Sequence, residues 1–137
     1  MATIDHLILA VNDLDASARF YAEVLGFAFE RRDGPFAVVR VSPDFILQLA
    51  PSGTEGGAHL AFEMAPAEFD AAFARIKERG IGYGSAFNNV GSNTGPGWEL
   101  GAHGMGASIY FLDPNKHLFE IRTPRESGDV GGVLPDP

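Results

Sequence analysis

Residues 3–27, TIDHLILAVNDLDASARFYAEVLGF, decide how the chain is read. Thr3 to Val11 alternates in character and is rich in β-formers, so it predicts a strand. Asp13 is placed to cap a helix running to about Leu25, and Gly26 ends it. Leu14, Ala18, Tyr21 and Leu25 recur at three- or four-residue spacing, which lets one helix face lie on a sheet. Short strands follow near Phe27 to Arg31, Phe36 to Val41 and Phe45 to Ala50. Asp33-Gly34-Pro35 and Ser42-Pro43-Asp44 supply the turns between them. The order is βαβββ.

After a Gly-rich joint, Ser52 to Gly57, the order restarts. Ala58 to Met64 alternates as a strand, and Pro66 opens a helix that ends before Gly80, with Phe69, Ala72, Phe73 and Ile76 on its apolar face. Strands are expected near Ile81 to Phe87, Ala107 to Leu112 and His117 to Thr123. Aligning the halves sets His6 against His59, Gly26 against Gly80 and Gln48 against Glu120. The predicted organisation is a first module over 1–51, a linker over 52–57, a second module over 58–123 with a long loop at 85–106, and a flexible tail over 124–137. The predicted fold is α+β, with two βαβββ modules forming a curved mixed sheet around a central cleft and the helices outside.

A length of 137 residues with 45% hydrophobic side chains suits one domain or two fused half-domains with a real core. A formal charge of −8 without any Lys/Arg-rich block argues against a nucleic-acid partner. The absence of cysteine rules out disulfides and thiolate ligands, so any metal site must use imidazole and carboxylate. The opening MATIDHLILAVNDLD reads unlike a signal peptide, and no apolar run approaches the roughly 20 residues of a membrane span. A cytoplasmic protein without membrane association is expected.

Strand alternation carries the chemistry, because successive side chains point to opposite faces. Leu7, Leu9 and Val11 share one face of the first strand, leaving His6 on the other. His59 lies opposite Leu60, Phe62 and Met64, and Glu120 lies opposite Phe119 and Ile121. If the modules join in one curved sheet, His6, Gln48, His59 and Glu120 project into its hollow. Two imidazoles and a carboxylate suit one divalent Fe, Mn, Zn, Ni or Co ion per site, with coordination positions left open for substrate.

The segments IDHLILAVNDLDASARFYAEVLGF, GGAHLAFEM and SIYFLDPNKHLFEIR resemble the glyoxalase, bleomycin-resistance and extradiol-dioxygenase family, the vicinal oxygen chelate superfamily, across about residues 3 to 123. The resemblance implies paired βαβββ modules around a metal held by His6, His59 and Glu120. It also implies a homodimer, with the cleft made from modules of one chain or of two. Several departures narrow the function. Glyoxalase I usually has a carboxylate where this chain has Gln48. Fosfomycin-resistance thiol transferases share the His, His, Glu set, but their basic residues downstream of the last ligand are missing here. Extradiol dioxygenases share the facial ligand set but usually have four modules. Bleomycin-binding relatives lack the triad.

Other residues carry weaker signals. Tyr110 and Gln48 are candidates to assist proton transfer or orientation beside Glu120. Trp98, His103 and Arg122 are candidates to touch substrate, Trp98 and His103 from a Gly-rich segment that reads as a lid or a contact loop. Arg122 shares the alternate face of Glu120 and is placed to orient it or to clamp an anionic substrate, and Glu63 has the same position relative to His59, with surface ion pairs as the plainer reading. His117 sits at a turn-to-strand junction and reads as structural. The expected activity is that of a metal-dependent lyase, isomerase or dioxygenase on a small substrate that chelates through neighbouring oxygens. A non-catalytic protein that sequesters a drug or metabolite is the alternative.

Overall fold

The computed structural model describes residues 1–124, so the expected tail lies, apart from Pro124, outside the described residues. Among those residues the chain forms two helices and nine strands in two mixed sheets, an α+β architecture. It divides into two compact units, Met1–Gly56 with Asp113–Lys116, and Gly57–Leu112 with the chain from His117 onward. No helix among the described residues is long and apolar enough to cross a membrane.

The first unit contains β1 (His6–Ala10), α1 (Leu14–Leu25), β2 (Ala28–Asp33), β3 (Phe36–Ser42) and β4 (Phe45–Ala50), in the sheet order β1-β4-β3-β2. β1 runs parallel to β4, and the other pairs are antiparallel. The helix forms where its caps dictate. The Asp13 carboxylate accepts from Ala16 N at 2.8 Å, satisfying one of the free N–H groups of the first turn. At the other end Gly26 takes a left-handed φ of 78°, which a side chain would resist. Leu14, Ala18, Tyr21, Val24 and Leu25 on the helix are buried, as are Leu9, Val11, Val39, Leu47 and Leu49 on one face of the sheet. The opposite face carries His6, Ile8, Ile46 and Gln48, as the pairing of His6 with Ile46 and Ile8 with Gln48 requires.

A polar knot completes this unit. The turn Asp113–Lys116 belongs to it, and Asn115 is 2% exposed. Asn115 Nδ2 donates to Ser17 Oγ and to the Asp113 carboxylate, each at 3.0 Å, while its Oδ1 accepts from Asn12 N at 2.8 Å. The Tyr21 hydroxyl also donates to Asp113. Burial foremost, and then the Asp113 charge, push the Tyr21 phenol far above its ordinary value, so it stays a donor. Nearby, Gly56 has a φ of 96°, and a Cβ there would stand 2.3 Å from the Lys116 carbonyl oxygen.

The second unit contains β5 (His59–Glu63), α2 (Pro66–Glu78), β6 (Tyr83–Gly84), β7 (Gly97–Gly101), β8 (Gly104–Leu112) and β9 (Leu118–Pro124). Its main path is β5-β9-β8-β6, with β7 paired to the other end of β8. Pro66 starts α2 at a position that needs no N–H donor, and Phe69, Ala72 and Ile76 bury its inner face. The register repeats that of the first unit. His59 stands beside Leu118 and Ala61 beside Glu120, as His6 stands beside Ile46 and Ile8 beside Gln48.

The expected strand at Ile81 to Phe87 shortens to Tyr83–Gly84, and the segment expected as one loop, 85–106, contains β7 and the start of β8. Glycine at 97, 101, 104 and 106 hides this hairpin from a reading of apolar alternation, although Trp98, Leu100 and Met105 follow it. Residues 85–96 are folded on themselves. Asn89 Oδ1 accepts from Ala86 N at 2.9 Å, and Asn93 Oδ1 accepts from Tyr83 N at 3.1 Å. His117 is buried, and its Nδ1 accepts from Ala58 N at 3.2 Å, a structural role.

Two substitutions test what holds the first unit. Asp13→Ala should cost about 1 kcal/mol through loss of the helix cap. Tyr21→Phe, which strips a donor from a buried carboxylate, should cost about 2 kcal/mol. Urea unfolding of both variants checks the order; a Tyr21→Phe protein as stable as the parent would remove the knot from the account.

Candidate metal centre

Within the second unit, β5, β9, β8 and β7 bring one set of polar side chains to a single face. Cross-strand partners point the same way, so the pairs Tyr110 with Glu120, Ser108 with Arg122, and Glu63 with Arg122 fix that face. Its centre is Glu120, 5% exposed. His59 Nε2 lies 3.3 Å from Glu120 Oε1, while the His59 ring keeps 48% of its side-chain surface exposed. The other carboxylate oxygen, Oε2, accepts from Ser108 Oγ at 3.0 Å and faces Arg122 Nη1 at 3.5 Å. One oxygen is therefore tethered while the other points at an imidazole.

Arg122, expected to orient Glu120, to clamp an anionic substrate or to make a surface ion pair, is buried beside Glu120. Its Nη2 donates to the Glu99 and Gly104 carbonyls at 3.2 and 2.9 Å, and its Nε is buried without a hydrogen-bond partner among the described residues. The guanidinium lies against Gly101, where a Cβ would stand 2.2 Å from Cζ. A planar fork that binds backbone and carboxylate together is a task for arginine and not for lysine.

Tyr110 packs its ring 5.9 Å from that of His59, and its hydroxyl donates to Glu99 Oε2 at 2.6 Å. Burial, the hydrogen bond to Glu99 and the nearby carboxylate charges together push the Tyr110 phenol far above its ordinary value. Glu99 and Ser108 escaped the sequence reading. Glu99 lies inside the unrecognised hairpin, and Ser108 is a small hydroxyl in an apolar strand; only strand period 2 counted back from Tyr110 marks Ser108. Trp98 pairs with Ala107 and so faces away from Glu99 and Tyr110. His103, 77% exposed in the β7–β8 turn, lies 3.4 Å from Glu63.

In the first unit His6 Nδ1 is 2.7 Å from Asp5 Oδ2, which leaves Nε2 as the outward nitrogen. Gln48 is half-buried on the same face of the sheet as His6. Among the described residues no group of three or more His, Asp or Glu side chains is gathered to hold a metal ion. The pair His59 and Glu120 nonetheless fits a borderline divalent ion in donor type, with an exposed imidazole beside a fixed carboxylate oxygen.

The sequence profile of the Glyoxalase/Bleomycin resistance protein/Dioxygenase superfamily matches residues 3–121. The chain is 29% identical to glutathione transferase FosA of Serratia marcescens over 128 residues, covering 88% of this chain and 80% of that protein. It is 28% identical to metallothiol transferase FosB of Shouchella clausii, covering 88% and 79%. Among solved structures it is similar to oxidase ChaP-H1, with a TM-score of 0.76 and 35% identity over 91% of this chain and 98% of that one. The chain belongs to the glyoxalase, bleomycin-resistance protein and dioxygenase superfamily.

Proposed function

We propose that this chain is a metal-dependent enzyme acting on a small substrate that binds a divalent ion through neighbouring oxygen atoms, with His6, His59 and Glu120 as the protein ligands. The observation that supports it most is the approach of His59 Nε2 to within 3.3 Å of Glu120 Oε1 while Oε2 is tied to Ser108. Outer-shell hydrogen bonds of this kind orient metal ligands and raise their affinity. His6 fits the same role, because a carboxylate on Nδ1 fixes the tautomer that leaves Nε2 as donor. A bound ion supplies Lewis acidity, stabilising negative charge on a substrate oxygen.

The chain's own residues do the rest. Ser108 and Arg122 hold the carboxylate, and Tyr110 presents a phenolic oxygen beside His59 whose proton is held toward Glu99. Gln48, where glyoxalase I usually carries a carboxylate, offers a neutral amide that orients without adding charge. The named relatives are two transferases and an oxidase, so membership of the superfamily supports the metal-centred mode of binding more than any one reaction.

Plasma mass spectrometry of protein purified without a metal-affinity tag should find about one divalent ion per site. Glu120→Gln should weaken binding beyond the roughly 10–100-fold that loss of an outer-shell partner costs, and His59→Ala and His6→Ala should do likewise. A native chain that stays empty after incubation with Fe(II), Mn(II), Zn(II), Ni(II) and Co(II) would sink the proposal and leave ligand sequestration as its successor. A mixture of His6→Ala and Glu120→Gln chains tests the homodimer: recovery of metal in the mixture assigns the ligands of one site to two copies, and no recovery assigns them to one chain.

A further inference from the structure

We propose that Glu99 is a specificity residue that turns anionic substrates away from this centre in favour of neutral ones carrying hydrogen-bond donors. The inference rests on the metal-centred function proposed above and deepens it. Its basis is the set of donors on the polar face of the second unit. The Tyr110 hydroxyl is given to Glu99 at 2.6 Å, and the Ser108 hydroxyl to Glu120 at 3.0 Å. The Arg122 guanidinium is given to Glu120 and to two backbone carbonyls, with only 8% of its side chain exposed. An arriving carboxylate or phosphate therefore finds the hydroxyls already committed and the guanidinium committed or, at Nε, buried, with Glu99 beside them, half-buried and carrying a carboxylate.

Like charges brought together at a partly desolvated site cost several kcal/mol, which is how proteins reject wrong partners. Glu99 also sets the polarity of Tyr110. With its proton held by Glu99, the phenolic oxygen is left with lone pairs, so it accepts from a substrate hydroxyl or N–H and does not donate to an anion. The hairpin delivers Glu99 to that position, because Arg122 grips the Glu99 carbonyl and lies flat on Gly101. Glu63 and His103, 3.4 Å apart on the same unit, make a separate and more exposed ion pair that serves as an internal control.

The test uses Mn(II) and inorganic phosphate as probes on the full-length chain. Mn(II) affinity is read from the free-ion electron paramagnetic resonance signal, phosphate affinity from broadening of its phosphorus resonance by the bound ion, and folding from a thermal melt. Glu99→Gln keeps an acceptor for Tyr110 and removes the charge. It should leave the melt unchanged and Mn(II) affinity within about threefold, and should tighten phosphate at least about tenfold; Glu63→Gln should leave phosphate within about twofold. Unchanged phosphate affinity in Glu99→Gln, phosphate bound by neither chain, or an equal gain in Glu63→Gln overturns the assignment of Glu99. The metal-centred reading fails separately, by Mn(II) binding equally well to the native chain and to Glu120→Gln.

Discussion

Everything in the second unit answers to one requirement: a carboxylate 5% exposed must be given partners. Taking a carboxylate out of water costs several kcal/mol unless charge and hydrogen bonds replace the lost hydration. Glu120 obtains Ser108 from β8, Arg122 from its own strand and His59 from β5, so three strands must stand in one register for it to be tolerated. Arg122, once buried, makes its own demand, and the β7–β8 hairpin supplies carbonyls together with a glycine where any side chain would collide. The site and the hairpin are thus two parts of one electrostatic arrangement.

The first unit also buries a carboxylate. Its buried Asp113 is answered by Tyr21 and by the backbone and side chain of Asn115, which also reaches Ser17. These groups bond one another and, through Asn115, the Asn12 backbone, so they hold a turn against a helix. The Asp113-Pro114-Asn115 run is for this reason a marker of fold, while Glu120, a few residues on, has an oxygen directed at an exposed ring. Exposure of the partner, more than burial of the carboxylate, separates the two cases.

Much of the fold was legible because its signals are local. Asp13 and Gly26 bracket α1, Pro66 opens α2, and period-2 alternation in β1, β4, β5 and β9 places His6, Gln48, His59 and Glu120 on the faces that the pairing gives them. The hairpin was not legible, since glycine at 97, 101, 104 and 106 contributes neither β propensity nor an apolar alternation. Those glycines are required by neighbours far along the chain: Gly101 by the Arg122 side chain and Gly106 by the Thr123 carbonyl. Missing the hairpin meant missing Glu99 and the carbonyls that receive Arg122. Trp98, singled out for its size, belongs to the other face because strand parity there depends on where β7 begins.

The same hairpin marks where the two units part in design. The first unit has a continuous strand, β2, along β3, whereas β8 is flanked by β6 and β7 with residues 85–96 between them. Breaking that strand leaves the side chains of its second part outside the β5, β9 and β8 pairings that carry His59 and Glu120, while its backbone at Glu99 and its glycine at 101 still receive Arg122. The Glu99 side chain on β7 reaches the face beside Tyr110, while its carbonyl receives Arg122. Ligand geometry is therefore bound to the core register, where a slip of one residue would turn Glu120 into the apolar layer. The carboxylate beside Tyr110 comes instead from β7, outside those pairings, where the Glu99 side chain meets only the edge of that register.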